Sequence, residues 1–184
     1  MRVIAGKWRG KKLVTPLGTT TRPTSDRAKE MLFNVLNAYL LKQGKNWDGL
    51  VFADVFAGSG AIGIEALSRG AKHIFLIENN REALACLRQN TVGMQGVDIV
   101  ARDATQPIPH TPVDIMFMDA PYGKGLWQEA LAVLTQAGWV NEQTLIIIET
   151  DRSDEEVLPD GWRLEQRRSA GRNVFLFAYK GTED

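Results

Sequence analysis

Short apolar runs alternate with segments of helical periodicity through the middle of the chain, and no other feature of the sequence constrains the fold as strongly. The runs typical of buried strands occupy residues 50–56, 72–78, 97–101, 113–119 and 144–150. Helical patterns between them occupy residues 61–69, 80–90 and 126–138. A strand, a helix and a second strand form a right-handed crossover. The alternation therefore predicts an α/β fold, in which helices cover both faces of a parallel sheet.

The segments that flank this alternation complete the predicted architecture. Between Thr24 and Leu40 the apolar residues fall at helical spacing, and Thr24 or Ser25 can cap the helix that this spacing predicts. Residues 161–168 and 173–180 have strand-like patterns on either side of the turn SAGR, with no helical pattern between them. We therefore expect the sheet to end in an antiparallel hairpin.

The N-terminal segment carries an uneven share of the positive charge. Residues 1–30 hold eight lysines and arginines against two acids, whereas the net charge of the whole chain is zero. Short β-like pieces around Gly6 and Gly10 predict a small hairpin with a basic outer surface. Such a segment on a mildly acidic body indicates contact with a polyanion, and a solvated lysine-rich surface is the alternative. We expect a basic arm at 1–22 and a main domain at 23–184.

Composition excludes several classes of protein. The 184 residues suffice for one main domain, and they include only one cysteine and two histidines, which argues against a disulfide or a zinc site. We therefore expect no metal. No apolar run approaches the roughly 20 residues of a membrane span, and the first residues lack the apolar stretch of a signal peptide. We expect a protein of the cytoplasm that does not contact membranes.

A glycine-rich turn follows the first predicted strand of the main domain. Residues 58–63 read GSGAIG and lead into a helix, and Glu78 ends the next strand about 20 residues further on, as in dinucleotide-binding sites. Glycines let a ligand approach the backbone, and a carboxylate in this position can hold the hydroxyls of a ribose. The pattern by itself does not select the cofactor.

Two more acids occur at the ends of predicted strands. Asp54 precedes the glycine turn, where its charge would repel a pyrophosphate and attract the ammonium of an amino acid. Asp103 follows the third strand, where it could accept a hydrogen bond from an adenine amino group. Each acid could instead have a purely structural role. Asp54 could cap the helix, Glu78 could pair with a surface arginine, and Asp103 could begin a turn. Three acids around one turn favour a ligand that joins an adenosine to a zwitterionic amino acid.

The fourth predicted strand leads into a second candidate site. Residues 115–122 read IMFMDAPY, an apolar run followed by an acid, a small residue, a proline and an aromatic ring. Open α/β sheets bind ligands at the carboxyl ends of their strands, where Asp119 falls. The run therefore indicates a site, and an ordinary turn after a strand is the alternative.

Together, the segment DVFAGSG, the acids Glu78 and Asp103 and the motif DAPY resemble the class I S-adenosylmethionine-dependent methyltransferases that act on exocyclic amines. The segments RVIAGKWRG, RPTSDRAKEMLFNVL and FAGSGAIGIEALSRGA are similar to the bacterial 16S rRNA guanine-N2 methyltransferases of the RsmD type. This resemblance extends through nearly the whole chain. It implies a Rossmann-like, seven-stranded, mostly parallel sheet with an antiparallel last strand. The implied substrate is one guanine of small-subunit ribosomal RNA, free or within an assembled 30S particle, and we expect a monomer.

The resemblance also implies roles for individual residues. The carboxylate of Asp119 and the carbonyl of Ala120 or Pro121 would accept hydrogen bonds from the N–H groups of the target amine. Tyr122 would stack on the extruded base. The family usually has proline where this chain has Ala120, which bears on the stiffness of the loop. The cofactor, S-adenosylmethionine, would contact Asp54, Phe56, Ala57, Gly58, Ser59, Gly60, Glu78, Asn79, Asp103, Ala104 and Asn34. RNA would contact Lys7, Arg9, Lys11, Lys12, Arg22, Arg27 and Tyr122.

Three other functions stay open at this point. A DNA adenine-N6 methyltransferase would use the same loop from Asp119 to Tyr122, although no segment is left over for a domain that reads DNA sequence. A dinucleotide-dependent oxidoreductase would use GSGAIG and Glu78, but Asp54 and the DAPY motif would then have no role. The third is an RNA-binding module that has kept the fold without catalysis.

Overall fold

The apolar runs and helical patterns of the sequence fold into the elements that they predict. The computed structural model describes residues 1–16, 25–121, 125–152 and 157–181. The helices are α1 (Asp26–Lys42), α2 (Ala61–Ser68), α3 (Arg81–Asn90) and α4 (Leu126–Gln136). The strands are β1 (Val51–Val55), β2 (His73–Glu78), β3 (Val97–Ala101), β4 (Ile115–Met118), β5 (Leu145–Asp151), β6 (Trp162–Ala170) and β7 (Asn173–Lys180). No helix in the described ranges is long and apolar enough to cross a membrane.

The strands of these ranges form one sheet of seven, in the order β3, β2, β1, β4, β5, β7, β6. Strands β1 to β5 are parallel, whereas β7 lies antiparallel between β5 and β6. This arrangement confirms the predicted mostly parallel sheet with an antiparallel last strand. The winding of the chain reverses between β1 and β4, so the carboxyl ends of these two strands flank the crevice in which open α/β sheets bind ligands.

Two apolar cores lie on the two faces of the sheet. On one face, α1, α2 and α3 pack on strand residues such as Phe52, Leu76 and Phe117. On the other face, α4 and Trp139 pack on the intervening residues, such as Met116. Because side chains alternate along a strand, this division also decides which side chains at the strand ends share a face.

Residues 1–14, called the ribbon below, pack on the main domain. Arg2 and Lys12 form an antiparallel bridge. Val3 and Leu13 are buried in the core on the α2 side of the sheet. The ribbon therefore has an apolar inner surface beneath its basic outer surface.

A buried carboxylate attaches the ribbon to α2. Glu65 is fully buried and accepts hydrogen bonds from the amides of Ile4 at 2.7 Å and Ala5 at 3.0 Å. Lys29 Nζ at 3.6 Å and Arg69 Nε at 2.8 Å balance its charge. Burial lowers the pKa of Lys29, and the neighbouring Glu65 opposes that shift. The fold thus encloses an ion pair that anchors the backbone of the ribbon.

The last turn of α2 makes further contacts with the ribbon. The hydroxyl of Ser68 donates to the carbonyl of Ala5 at 2.6 Å and accepts from the amide of Trp8 at 3.0 Å. The amide of Lys7 donates to the carbonyl of Ser68 at 2.7 Å. Gly6 has φ of 82°, and a Cβ at this position would lie 1.7 Å from the same carbonyl oxygen. Only glycine therefore fits where the ribbon crosses α2.

Candidate active site

The acids at the strand ends lie on one face of the sheet, at its carboxyl edge. In register, Asp54 lies between Leu76 of β2 and Phe117 of β4. Because side chains alternate along a strand, Glu78 and Asp119, two residues beyond these partners, share the face of Asp54. This is the face that α2 covers. Acids from three separate segments therefore meet beside the crevice of the sheet.

Three backbone amides hold the carboxylate of Glu78. Its Oε2 accepts from Gly58 at 2.8 Å, and its Oε1 accepts from Asn79 at 2.9 Å and from Asn80 at 2.8 Å. The side chain is half-buried and joins the end of β2 to the glycine turn. A carboxylate oxygen has two lone pairs, so Oε2 can accept a further donor, such as a ribose hydroxyl.

The glycine turn leaves space in front of its backbone. Phe56, with φ of 64°, is the only non-glycine residue of the described ranges with positive φ, a strained conformation that is common at ligand sites. Gly58 has φ of 55°, and a Cβ there would meet no atom within 4 Å. At Gly63 a Cβ would lie 2.4 Å from Leu76 Cδ2, so this glycine permits close packing of α2 on the sheet. The open side of the turn at Gly58 could accommodate a ligand.

Asp54 is buried beneath the start of α2. It is 2% exposed, and its Oδ2 accepts from the amide of Gly63 at 2.8 Å. Burial raises the pKa of this carboxyl to about 8, the Gly63 amide opposes the shift, and the negative charges of Glu78 and Glu149 add to it. A cation brought to this site would favour the ionised carboxylate. The predicted contact with an ammonium stays a prediction.

We expect Asp54 to make the protein less stable as the pH rises from about 4 to about 8. In the unfolded chain the group ionises near its ordinary value, whereas the folded protein retains the proton up to about pH 8. The native state then binds more protons than the unfolded state, so each pH unit lowers the free energy of unfolding by up to about 1.4 kcal/mol. Asp54→Asn keeps an acceptor for Gly63 and should flatten this slope.

Urea unfolding of the wild type and of Asp54→Asn across this pH range measures the two slopes. Asp48→Asn, at an exposed position, serves as the control and should keep the slope of the wild type. Equal slopes for Asp54→Asn and the wild type would show that the buried carboxyl does not retain its proton.

Asp119 has an acidic neighbour that the sequence patterns did not mark. Met118 of β4 and Ile148 of β5 are register partners, so the residues that follow them, Asp119 and Glu149, are adjacent on the same face. Glu149 is 2% exposed and accepts a hydrogen bond from the side-chain amide of Asn173. An acid directly after the apolar run LIII is the same signal that marked Glu78, and it could have identified this residue.

The surroundings of Asp119 favour the arrival of positive charge. Burial raises the pKa of its carboxyl well above the ordinary value, and the charges of Glu149 and Asp54 raise it further. Both effects make a negative charge on Asp119 unfavourable. A cation, or a nitrogen that becomes positive during a reaction, would offset them. The site is therefore suited to a reaction in which positive charge develops near Asp119.

Asp103, after β3, is hydrogen-bonded within its own loop. It accepts from the amide of Thr105 at 3.0 Å and from its hydroxyl at 2.8 Å, and these bonds lower the pKa of the carboxyl. The turn considered as the alternative for this acid is therefore present. A contact with an adenine stays a prediction.

The other residues predicted to bind a cofactor differ in exposure. Those that are buried are Ala57, Ser59, Gly60 and Ala104. Asn79 and Asn34 are exposed, the latter on α1. Asn90, which the sequence patterns did not mark, donates to the carbonyls of Ser59 and Val14, both at 2.9 Å. It thereby links the glycine turn to the end of the ribbon.

Some of the residues predicted to contact or methylate a nucleic acid lie within the described ranges, and others lie outside them. Ala120 is buried and Pro121 is exposed, whereas Tyr122 lies outside the described residues. Of the basic residues, Lys11 is half-buried and Arg22 lies outside the described residues. The exposed ones are Lys7, Arg9, Lys12 and Arg27. Lys7 Nζ lies 5.0 Å above the ring of Trp8.

Comparison with known proteins points to one family. The family model described as "Conserved hypothetical protein 95" matches residues 1–179. Ribosomal RNA small subunit methyltransferase D of Haemophilus influenzae is 33% identical over 183 residues, covering 93% of this chain and 89% of that protein. The protein of the same name from Escherichia coli is 35% identical over 180 residues, covering 95% and 87%. A solved structure described as "Putative methyltransferase yhhF from Escherichia coli" has a TM-score of 0.81 at 33% identity, covering 100% of this chain and 99% of the other.

Proposed function

The chain belongs to the family described as Conserved hypothetical protein 95, and on that basis we propose that it is an S-adenosylmethionine-dependent methyltransferase of small-subunit ribosomal RNA. The observation that carries the proposal is the shared face of Glu78, Asp54 and Asp119 beside the open glycine turn. The names of the relatives from Haemophilus influenzae and Escherichia coli support the RNA substrate. The fold supports methyl transfer, because the whole chain matches the solved structure described as "Putative methyltransferase yhhF from Escherichia coli".

The residues around the glycine turn fit S-adenosylmethionine. When bound, this cofactor supplies a methyl group on a positively charged sulfur. Oε2 of Glu78 would accept from a ribose hydroxyl, and the space in front of Gly58 would admit the ligand to the backbone. Asp54 would face the ammonium and Asp103 the adenine. We assign the surrounding contacts to Phe56, Ala57, Ser59, Gly60, Asn79, Ala104 and Asn34.

We propose the exocyclic N2 of a guanine as the methyl acceptor. Its lone pair is delocalised into the ring, so that positive charge develops on the nitrogen only as it reacts. Asp119 and the carbonyl of Ala120 or Pro121 would accept hydrogen bonds from the two N–H groups of this amine and thereby stabilise that charge. Tyr122 would stack on the base. The acidic surroundings of Asp119 support this role, because they favour positive charge over negative charge.

The ribbon supplies the basic surface that we propose as an RNA contact. We propose that residues 1–22 form this RNA-binding arm and that residues 23–184 form the methyltransferase domain. The contacts of Ile4 and Ala5 with Glu65 hold the ribbon in one position on α2. Its charges would therefore reach RNA from a rigid support.

Methyl transfer from labelled S-adenosylmethionine tests the proposal. The protein is mixed with 16S ribosomal RNA or with 30S particles, and the RNA is digested to nucleosides. We expect label in N2-methylguanosine, and we expect rRNA from cells that lack the protein to lose one such nucleoside. Label in N6-methyladenosine, label in DNA, or binding of NADH without methyl transfer would each contradict the proposal.

Glu78→Ala should weaken the binding of S-adenosylmethionine by roughly 1.5 to 3 kcal/mol, the range for a hydrogen bond to a charged group. The ribose would lose a charged acceptor, and the amide of Gly58 would lose the partner that positions the glycine turn. Calorimetry measures the affinity. Glu82→Ala removes an exposed acid nearby and should bind like the wild type. Unchanged affinity in a folded Glu78→Ala protein would mean that the ribose is held elsewhere.

A further inference from the structure

The turn between β6 and β7 lies at the carboxyl edge of the sheet, beside the candidate active site. Asn173, the first residue of β7, pairs with Asp151 of β5 and with Ala170 of β6. Its side-chain amide donates to Glu149, the acid next to Asp119. The turn is therefore joined to the same edge that carries the proposed catalytic carboxylate.

This turn is strongly basic. The segment QRRSAGRN contains three arginines and no acid. All three, Arg167, Arg168 and Arg172, are exposed. The backbone amide of Arg152, from the acidic segment DRSDEE, donates to the carbonyl of Arg172 at 2.9 Å and joins the end of β5 to the turn. Residues 167–172 are called the hairpin tip below.

The contacts of Arg168 and Arg172 leave positive charge at the surface. Arg168 Nη1 donates to the carbonyl of Arg167 at 3.0 Å, a neutral acceptor. Arg172 Nε lies 3.4 Å from the carboxylate of Asp151, and the arginine side chain of this pair is 73% exposed. An arginine carries five N–H donors, so one such contact leaves donors of Arg172 accessible to a ligand.

The position of the hairpin tip relative to Asp119 and to the glycine turn indicates which ligand it binds. Strands in a sheet lie about 4.8 Å apart, so the order β4, β5, β7, β6 puts the tip about 10 to 15 Å from the end of β4 along the edge. The proposed cofactor residues Glu78, at the end of β2, and Gly58, after β1, lie on the opposite side of β4. RNA that delivers a base to Asp119 would therefore pass over the strand ends on the side of the tip.

We propose that the hairpin tip is a second RNA contact, which binds phosphates within a few nucleotides of the target base. This inference rests on the proposed function. Arginine suits this role because its planar fork of donors matches the oxygens of a phosphate. The tip and the ribbon would then bind RNA from different elements of the fold, and the tip would act close to the reacting base.

Positive charge on an edge strand can have a role other than RNA binding, and the experiment must distinguish the two roles. Charged side chains on an edge strand such as β6 prevent it from pairing with another sheet. That role would apply along the whole strand, including Arg163 near its start. Arg163 Nη1 lies 3.6 Å from Glu165 and both side chains are exposed, whereas Asp151, the partner of Arg172, is only 19% exposed. The start of β6 is adjacent to Lys180 at the far end of the hairpin.

A matched pair of variants tests the proposal in the full-length protein. The tip variant is Arg168→Gln with Arg172→Gln, and the base variant is Arg163→Gln with Lys180→Gln. Each removes two exposed positive charges of the hairpin and one arginine–carboxylate pair, at opposite edges of the sheet. Binding of each protein to 16S ribosomal RNA is measured over a series of salt concentrations, and binding of S-adenosylmethionine is measured by calorimetry.

We expect the tip variant to bind the RNA roughly tenfold or more weakly and to lower the salt slope by about 1 to 2, as the loss of two phosphate contacts requires. The base variant should bind within about twofold of the wild type, and both variants should keep their cofactor affinity. Equal RNA affinity of the tip and base variants would overturn the inference. A wild type that binds S-adenosylmethionine but methylates neither 16S ribosomal RNA nor 30S particles would instead refute the proposed function.

Discussion

Asp119→Ala should lower the rate of methyl transfer about 10²- to 10³-fold, the scale of losing one preorganised group that stabilises transition-state charge. The carboxylate would contact charge that exists only during transfer, so the affinity for cofactor and RNA should change little. The fold should also survive. Burial and the charges of Glu149 and Asp54 raise the pKa of this carboxyl, which means that its ionisation costs folding free energy and that its removal spares this cost.

Single-turnover reactions with saturating RNA and cofactor measure this rate without contributions from binding or product release. Asp119→Asn keeps a neutral acceptor of the same shape and should lose less activity than Asp119→Ala. Glu142→Ala removes an exposed acid and should react at the rate of the wild type. Transfer at the wild-type rate by a folded Asp119→Ala protein would make this acid an ordinary turn residue.

Glu65→Ala should lower the free energy of unfolding by about 3 to 5 kcal/mol, the cost of removing one partner from a buried ion pair. Lys29, 1% exposed, would be left in the core without its counter-charge at 3.6 Å. The amides of Ile4 and Ala5 would lose their acceptor. Since those amides belong to the ribbon, the prediction also tests whether the proposed RNA-binding arm depends on the main domain for its position.

Urea unfolding at neutral pH measures the loss. Glu30→Ala removes an exposed glutamate beside Lys29 in the sequence and should change stability little. If Glu65→Ala does not fold, Glu65→Gln retains one acceptor for the amides and should lose less. Combining Glu65→Gln with Lys29→Met removes both charges and should recover part of the stability. A loss below about 1 kcal/mol for Glu65→Ala would mean that the ribbon is held by its apolar contacts instead.

Patterns of neighbouring residues predicted most of the elements. The apolar run at 97–101 is β3 to the residue, and the helical spacing after Thr24 became α1, with Ser25 as its cap. The run predicted at 113–119 is paired only over Ile115–Met118, because its ends depend on where β1 and β5 offer partners. Strand boundaries are set by pairing with other segments, so local patterns predict them less well than the strands themselves.

The candidate site was predictable where an acid directly follows an apolar run. Asp119 and Glu78 both obey this pattern, and parallel strands bring their carboxyl ends to one edge of the sheet. Glu149 follows the same pattern but belongs to no motif. The acids indicated the class of ligand and the basic N-terminal segment indicated a polyanion, whereas the methylated base and the individual RNA contacts are implied by the resemblance and stay predictions.

The sequence by itself determined the alternation of strands and helices, the parallel sheet and the acids at its edge, since periodicity is a local property and a helix between two strands predicts a parallel crossover. Only the tertiary structure decided that the ribbon rests on Glu65, that Asn90 joins it to the glycine turn, and that Asn173 joins the start of β7 to Glu149. In each case the partners are far apart in the chain. Their contact depends on burying charges and amides together in one core, and no local pattern records such a pairing.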